Sequence, residues 1–156
     1  MKIRIISISH KSPAWLQAGY EEYAKRLPPH CSIELIEIPA EKRTSSSDAK
    51  RLSDLEGKKM LAAINSQHHI IALDVKGKAW STEQLAEQLK SWQQLGRNVD
   101  LLIGGADGLT EACLQKANEK WSLSALTFPH LLIRVMLAEQ IYRAYTILQG
   151  HPYHRG

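Results

Sequence analysis

The chain has no apolar run long enough to cross a bilayer, and its opening residues, Met1-Lys-Ile-Arg-Ile, do not form a signal peptide. A membrane-embedded or exported protein is therefore not expected. Cysteine is scarce. Cys31 and Cys113 stand far apart and match no metal-ligand spacing, which fits reduced thiols in a cytosolic protein. His151 and His154 have no third ligand nearby in sequence, so no zinc site is expected. There is no internal repeat. The glycines at 104, 105 and 108 do not form G-x-G-x-x-G, and no Lys-Ser or Lys-Thr pair follows them, which excludes a Walker phosphate loop. Charge is only mildly unbalanced, at +4 with a pI of about 9.1. That permits a nucleic-acid partner without requiring one.

What is present is enough for one domain over residues 1–156, with 44% apolar residues to build a core. Ile3 to Ile8 reads as a β-branched strand. Ser12-Pro13 then predicts a helix cap, followed by Trp15, Leu16, Tyr20, Tyr23 and Leu27 at helical spacing, with Pro28-Pro29 as the stop. Ser32 to Ile38 is a second strand, and 39–47 is a polar loop. A helix from about Asp48 carries Leu52, Leu55, Leu61 and Ile64. Ile70 to Val75 is a third, nearly all-apolar strand, and Lys76-Gly77-Lys78 reads as a turn. Ser81 and Gln84 predict a capping box for a helix with Leu85, Leu89 and Trp92, ended by Gly96. Val99 to Ile103 is the fourth strand, Thr110 to Ala117 a short helix, and Ser122 to Leu126 a short fifth strand. The longest helix starts at Pro129 or His130 and runs to Gln149, where Gly150 stops it. This alternation predicts an α/β fold: a mostly parallel sheet with helices on both faces.

Ligands in such sheets sit at the carboxyl ends of strands. There the segment Gly104-Gly-Ala-Asp-Gly108 lets the backbone turn sharply and come close to a ligand. A second backbone-rich loop, Leu123-Ser-Ala-Leu-Thr-Phe128, follows shortly afterwards. The tail His151-Pro-Tyr-His-Arg-Gly156 combines Arg and His, which hold phosphates, with Tyr, which stacks on an unstacked base. On the last helix Arg134, Leu137 and Ile141 share one face, and Glu139, Tyr142 and Arg143 another. That helix is either half-buried with solvated charges or a dimer surface and a wall of the site. Trp15, Trp80, Trp92 and Trp121 are scattered and read as core or interface residues.

Several short motifs occur together in one order. They are Leu73-Asp74, Ile103-Gly-Gly-Ala-Asp-Gly-Leu109, Leu123-Ser-Ala-Leu-Thr-Phe-Pro-His130, Arg134-Val135, Glu139, Tyr142-Arg-Ala144 and Tyr153-His-Arg155. The first half adds Ile36-Glu-Ile-Pro39, Glu56-Gly57 and Met60-Leu61. In this ordered set the chain resembles the SPOUT-class ribosomal RNA large-subunit methyltransferase H family, over essentially its whole length. Ala106 and Asp107 fall where variation is expected. The resemblance implies a SPOUT fold with a C-terminal trefoil knot, a homodimer, a cytoplasmic location, and S-adenosylmethionine as methyl donor with no metal. It implies methylation of N3 of a pseudouridine in the helix-69 loop of 23S rRNA, within the assembled 70S ribosome, with RNA rather than DNA as partner. By motif matching, Leu73, Gly104 and the segment Leu123, Ser124, Ala125, Leu126, Thr127 and Phe128 contact the donor. Gly105 and Gly108 join them from turn geometry.

The transfer requires the base to lose its N3 proton. His154 is the side chain whose ordinary pKa, about 6.5, suits that task. Arg155, or Arg134, would stabilise negative charge on a base oxygen. Arg143, Tyr153, His154 and Arg155 would contact RNA. The competing reading is a non-catalytic ribosome-binding factor that keeps the fold. A different nucleotide-binding enzyme is disfavoured by the missing phosphate motifs.

Overall fold

A computed structural model describes residues 1–155. Five parallel strands form one sheet in the order β2-β1-β4-β3-β5. They are β1 (Lys2–Ser9), β2 (Ser32–Pro39), β3 (His69–Ala79), β4 (Val99–Ile103) and β5 (Glu119–Ser122). The helices between and after them are α1 (Ala14–Ala24), α2 (Ala49–Ala63), α3 (Thr82–Leu95), α4 (Glu111–Lys116) and α5 (His130–Leu148).

The central strands β1, β3 and β4 bury residues toward both faces because both faces are covered, whereas the edge strand β2 buries only Ile38. In β4 all five residues are buried, and the neighbours Leu101 and Leu102 serve different cores. Ile3, Ile5, Ile71 and Leu101 pack against Tyr20 of α1, Leu89 and Trp92 of α3, and Leu137 and Ile141 of α5. Ile6, Ile8, Ile70 and Leu102 face Met60 of α2 and Cys113 of α4. The helix faces alternate because the chain reverses direction across the sheet at each crossover. Keeping every βαβ unit right-handed then requires the helix to change face. The reversal leaves β1 and β4 as neighbours whose following helices lie on opposite faces of the sheet.

The capping box of Ser81 and Gln84 forms as expected, Asp48 caps the helix expected to start near it, and Gly96 ends α3 in the left-handed region at φ 68°. Three expectations need correction. Ser12 does not cap α1: the cap position is Pro13, without a side-chain bond. Lys76 to Lys78 is not a free turn, because β3 continues through it after a bulge and pairs again with β5. A Cβ on Gly77 would meet the Lys120 carbonyl carbon at 2.6 Å, so the glycine marks backbone packing between strands. The fifth strand lies at Glu119–Ser122, upstream of the expected span, and 123–128 is loop throughout.

At the amino end of the sheet, Asp100 is fully buried. It accepts from Arg4 Nε at 2.7 Å and Nη2 at 2.8 Å, from the Asn65 amide at 2.9 Å and from His68 Nδ1 at 2.8 Å. Burial opposes its charge, but these donors outweigh burial and hold the carboxyl below its ordinary range.

Candidate active site

Three strand ends shape the opposite, carboxyl end of the sheet. Ala72 of β3 is level with Leu102 of β4, and Leu73 pairs with Trp121 of β5. The chain leaves these strands by the Leu73 bulge, the glycine turn and the 123–128 loop. Between the first and third lies a cavity of about 130 Å³, lined by Leu73, Asp74, Val75, Trp121, Leu123, Ser124, Leu126, Thr127, Phe128 and Ile133. Its walls are mainly apolar, with a few polar groups at the edge, as in sites for flat heterocycles. Asp74 steadies the bulge by accepting from the Lys76 amide at 3.2 Å. Ser124 accepts from the Leu126 amide at 3.0 Å, and Ser122 donates to the Ser124 carbonyl at 3.2 Å. The loop is therefore braced by its own hydroxyls.

Leu73 and all of the 123–128 segment except Ala125 line this cavity. Asp74 and Val75 join them as the continuation of the same strand end, and Trp121 and Ile133 join them unforeseen. Trp121, expected only as a packing residue, is a cavity wall that also stacks on Trp80 at 4.9 Å.

No residue of the glycine turn is among the walls of this cavity. Gly105 accepts from the Gly108 amide at 3.1 Å, and Gly108 has φ 76°. A Cβ on Gly104 would lie 2.4 Å from the Gly108 carbonyl carbon and 2.6 Å from the Leu109 amide nitrogen. The close approach that demands glycine at 104 is thus that of the turn to itself.

Arg134 is 2% exposed. Its guanidinium donates to Ser7 Oγ at 3.2 Å, to Ser9 Oγ, and to Glu37 Oε2 at 3.2 Å. These partners lie on β1 and β2, whereas the cavity lies at β3 and β5. Arg134 accordingly clamps α5 to the far side of the sheet and has no contact with the cavity.

The tail turns once more, in a short 3-10 helix at Pro152–Arg155, and docks on α5. Tyr153 Oη donates to Glu139 Oε1 at 3.0 Å, and Arg143 donates to the same oxygen at 2.9 and 2.6 Å. The Tyr153 ring meets Tyr142 edge-on at 4.7 Å and lies under the Arg143 guanidinium at 5.0 Å. Burial, with the hydrogen bond to Glu139, pushes the Tyr153 phenol up to about 12. His154 Nδ1 is buried with no hydrogen-bond partner among the described residues. Arg143 and Tyr153 thus pack together on Glu139 of α5, His154 and Arg155 follow in the same short turn, and none of the four lines the cavity of their own chain. Among the described residues no three metal-ligating side chains come together, and no helix is long and apolar enough to cross a membrane.

An apolar cavity at the carboxyl ends of β3 and β5, in a parallel sheet whose β4 runs into a self-closing glycine turn, defines an α/β enzyme with a small-molecule site. The model of the family described as "Predicted SPOUT methyltransferase" matches residues 1–154, and the chain belongs to this family of methyltransferases. It is 55% identical over 155 residues to the ribosomal RNA large subunit methyltransferase H of Saccharophagus degradans, covering 99% of this chain and 100% of that protein. The protein of the same name from Hahella chejuensis is 51% identical, with 99% of each chain covered. Among solved structures, a methylase family protein from Haemophilus influenzae superposes with a TM-score of 0.60 at 13% identity, covering 97% of this chain and 69% of that one. A methyltransferase from Legionella pneumophila in complex with S-adenosylmethionine gives 0.50 at 11% identity, covering 92% of this chain and 66% of that one. Likeness at such low identity speaks for the fold alone.

Proposed function

We propose that this protein transfers a methyl group from S-adenosylmethionine to N3 of a pseudouridine in the helix-69 loop of 23S rRNA, acting on the assembled ribosome in the cytoplasm as a homodimer. The observation that carries the reading is full-length likeness, at 51–55% identity, to relatives named for methylation of large-subunit ribosomal RNA.

The cavity fits the donor in chemistry. Leu73, Leu123 and Phe128 offer apolar surface for a purine, and the backbone of 123–128 offers amide and carbonyl groups to its edge. Gly104, Gly105 and Gly108 would hold the neighbouring part of the donor by backbone alone. When bound, S-adenosylmethionine supplies a methyl already activated on a positive sulfur. The chain's task is then to align donor and base and to exclude water, an ordering effect with an upper range of about 7–11 kcal/mol. His154 takes the N3 proton of the base, and Arg155 steadies the charge left on its oxygens. Arg143 and Tyr153 hold the RNA. The enclosure of Arg134 favours a structural role for it over the catalytic one.

The separation of the tail from its own cavity favours completion of the site across a dimer, with the tail of one protomer serving the cavity of its partner. The segment beyond β5 would form the threaded part of the trefoil knot. A chain this small, with a charge of +4, needs several separate contacts to find one base on a ribosome.

Methyl incorporation into 70S particles, compared with a naked helix-69 RNA, tests the substrate. High incorporation on particles with background on naked RNA is the expected result, and equal activity on both would contradict it. A non-catalytic ribosome-binding factor would show no heat on calorimetric titration with S-adenosylmethionine.

A further inference from the structure

The polar loop between β2 and α2 is tied to the glycine turn by one arginine. Glu56 of α2 is only 3% exposed. Its Oε2 accepts from the Glu41 amide at 2.8 Å and from Arg43 Nη1 at 2.9 Å, and its Oε1 accepts from Arg43 Nη2 at 2.9 Å. The same guanidinium reaches on to Asp107 Oδ2, from Nε at 3.1 Å and from Nη2 at 2.8 Å. Asp107 belongs to the glycine turn. α2 also touches the turn directly. A Cβ on Gly105 would stand 3.1 Å from Ile8 Cγ2 and 3.6 Å from Glu56 Oε1, and a Cβ on Gly57 would reach Thr110 Oγ1 and Cγ2 at 2.7 Å. Thr110 caps α4 just past the turn. Glu56-Gly57 therefore supports both ends of the 104–110 segment, and Arg43 supports its tip.

We propose that Arg43 is a positioning residue for methyl-donor binding: seated on buried Glu56, it grips Asp107 and so fixes the Gly104–Gly108 turn in the form that receives the donor. This rests on the donor reading of that turn. An exposed ion pair contributes little, but this one has a buried, bidentate anchor. Its geometry is specified at the Glu56 end and transmitted to the more exposed Asp107. The turn has no side chain packed inward to hold its shape, since its positions 104, 105 and 108 are glycines. Beyond its own Gly108–Gly105 backbone bond it is held from outside, and the Arg43 fork is a polar bridge that does so. Asp107 matters for the same reason, although it does not line the cavity.

The test is donor affinity, by calorimetry with S-adenosylmethionine, in full-length Asp107→Asn, Arg43→Gln and the double variant, with thermal unfolding alongside. Loss of charge-assisted hydrogen bonds predicts about a tenfold rise in donor Kd for each single variant. The double variant should be no weaker than the weaker single one, because both cut the same bridge. The loss should fall on KM for the donor, with kcat kept. Arg43→Lys keeps the charge but not the fork, and should restore affinity only in part. If Arg43→Gln unfolds, Asp107→Asn decides alone, since its side chain is 42% exposed and outside the core. Wild-type affinity in Asp107→Asn, or losses that add in the double variant, would overturn the proposal. If the wild-type chain itself gave no heat with the donor, the donor reading would fall first and the positioning role with it.

Discussion

The two ends of β4 do opposite work. At the amino end Asp100 is fully buried among Arg4, Asn65 and His68, with its hydrogen-bonding capacity filled by the chain. At the carboxyl end the strand runs into a turn of glycines whose backbone closes on itself, while the ends of β3 and β5 line a cavity. One end commits buried charge to hold three elements together. The other offers backbone and apolar surface to something outside the chain. The contrast shows why a small α/β domain can keep a loop-built site open: stability is concentrated at the far end of the same strands.

The largest expected effect separates those roles. Arg4→Ala leaves the buried Asp100 carboxylate without its main partner, and should lower stability by about 3–5 kcal/mol in urea unfolding. Donor affinity of the folded fraction should stay that of the wild type. A loss of affinity without a loss of stability would break the division between the two ends. The same carboxylate gives a pH dependence. Its folded pKa lies below the unfolded value of about 3.9, so its contribution is complete above that pH and disappears as the pH falls through the folded value. In Arg4→Ala the acid limb of the stability curve should move to higher pH.

Gly104→Val comes next. The new side chain meets the backbone at Gly108 and Leu109, so it should cost about 1–3 kcal/mol through overpacking and abolish heat on titration with S-adenosylmethionine. Retained affinity in a folded variant would remove the glycine turn from the donor site. The smallest structural change should come from His154→Ala, beyond the last long helix. It should leave stability and donor binding in place and lower turnover on ribosomes. Turnover should recover as the pH rises, because the base then ionises unaided. If the variant instead weakens ribosome binding with turnover intact at saturation, His154 positions RNA and is not the base.

Much of the fold was legible because its signals are local. Asp48, Ser81 with Gln84, and Gly96 act within a few residues of themselves, and the caps are found where the sequence puts them. The strand runs were readable from short clusters of β-branched and apolar residues, densest in β3 and β4, which are buried on both faces. Misreadings arose where partners are distant. Gly77 looks like a turn residue until Lys120 is seen against it. The partners of Arg134, Ser7, Ser9 and Glu37, lie more than ninety residues away in the chain, so its enclosure could not be read from the sequence. The Arg43 bridge from Glu56 to Asp107 left no periodic trace, for the same reason. In the candidate site, Leu73 and the 123–128 loop were accessible only through an ordered set of weak motifs, since backbone-built sites carry few diagnostic side chains. The docking of Tyr153 on Glu139 and Arg143 was invisible until α5 and the tail were seen folded together.

The central claim is that the carboxyl-end loops hold the donor while the tail serves RNA. Truncation after Gly150 tests it most directly, because residues beyond that point contact α5 and not the cavity. Calorimetric titration of the truncated chain with S-adenosylmethionine should give the wild-type dissociation constant, while methyl incorporation into 70S ribosomes falls to background. Donor binding that vanishes with the tail, or methylation that survives its removal, would contradict the account.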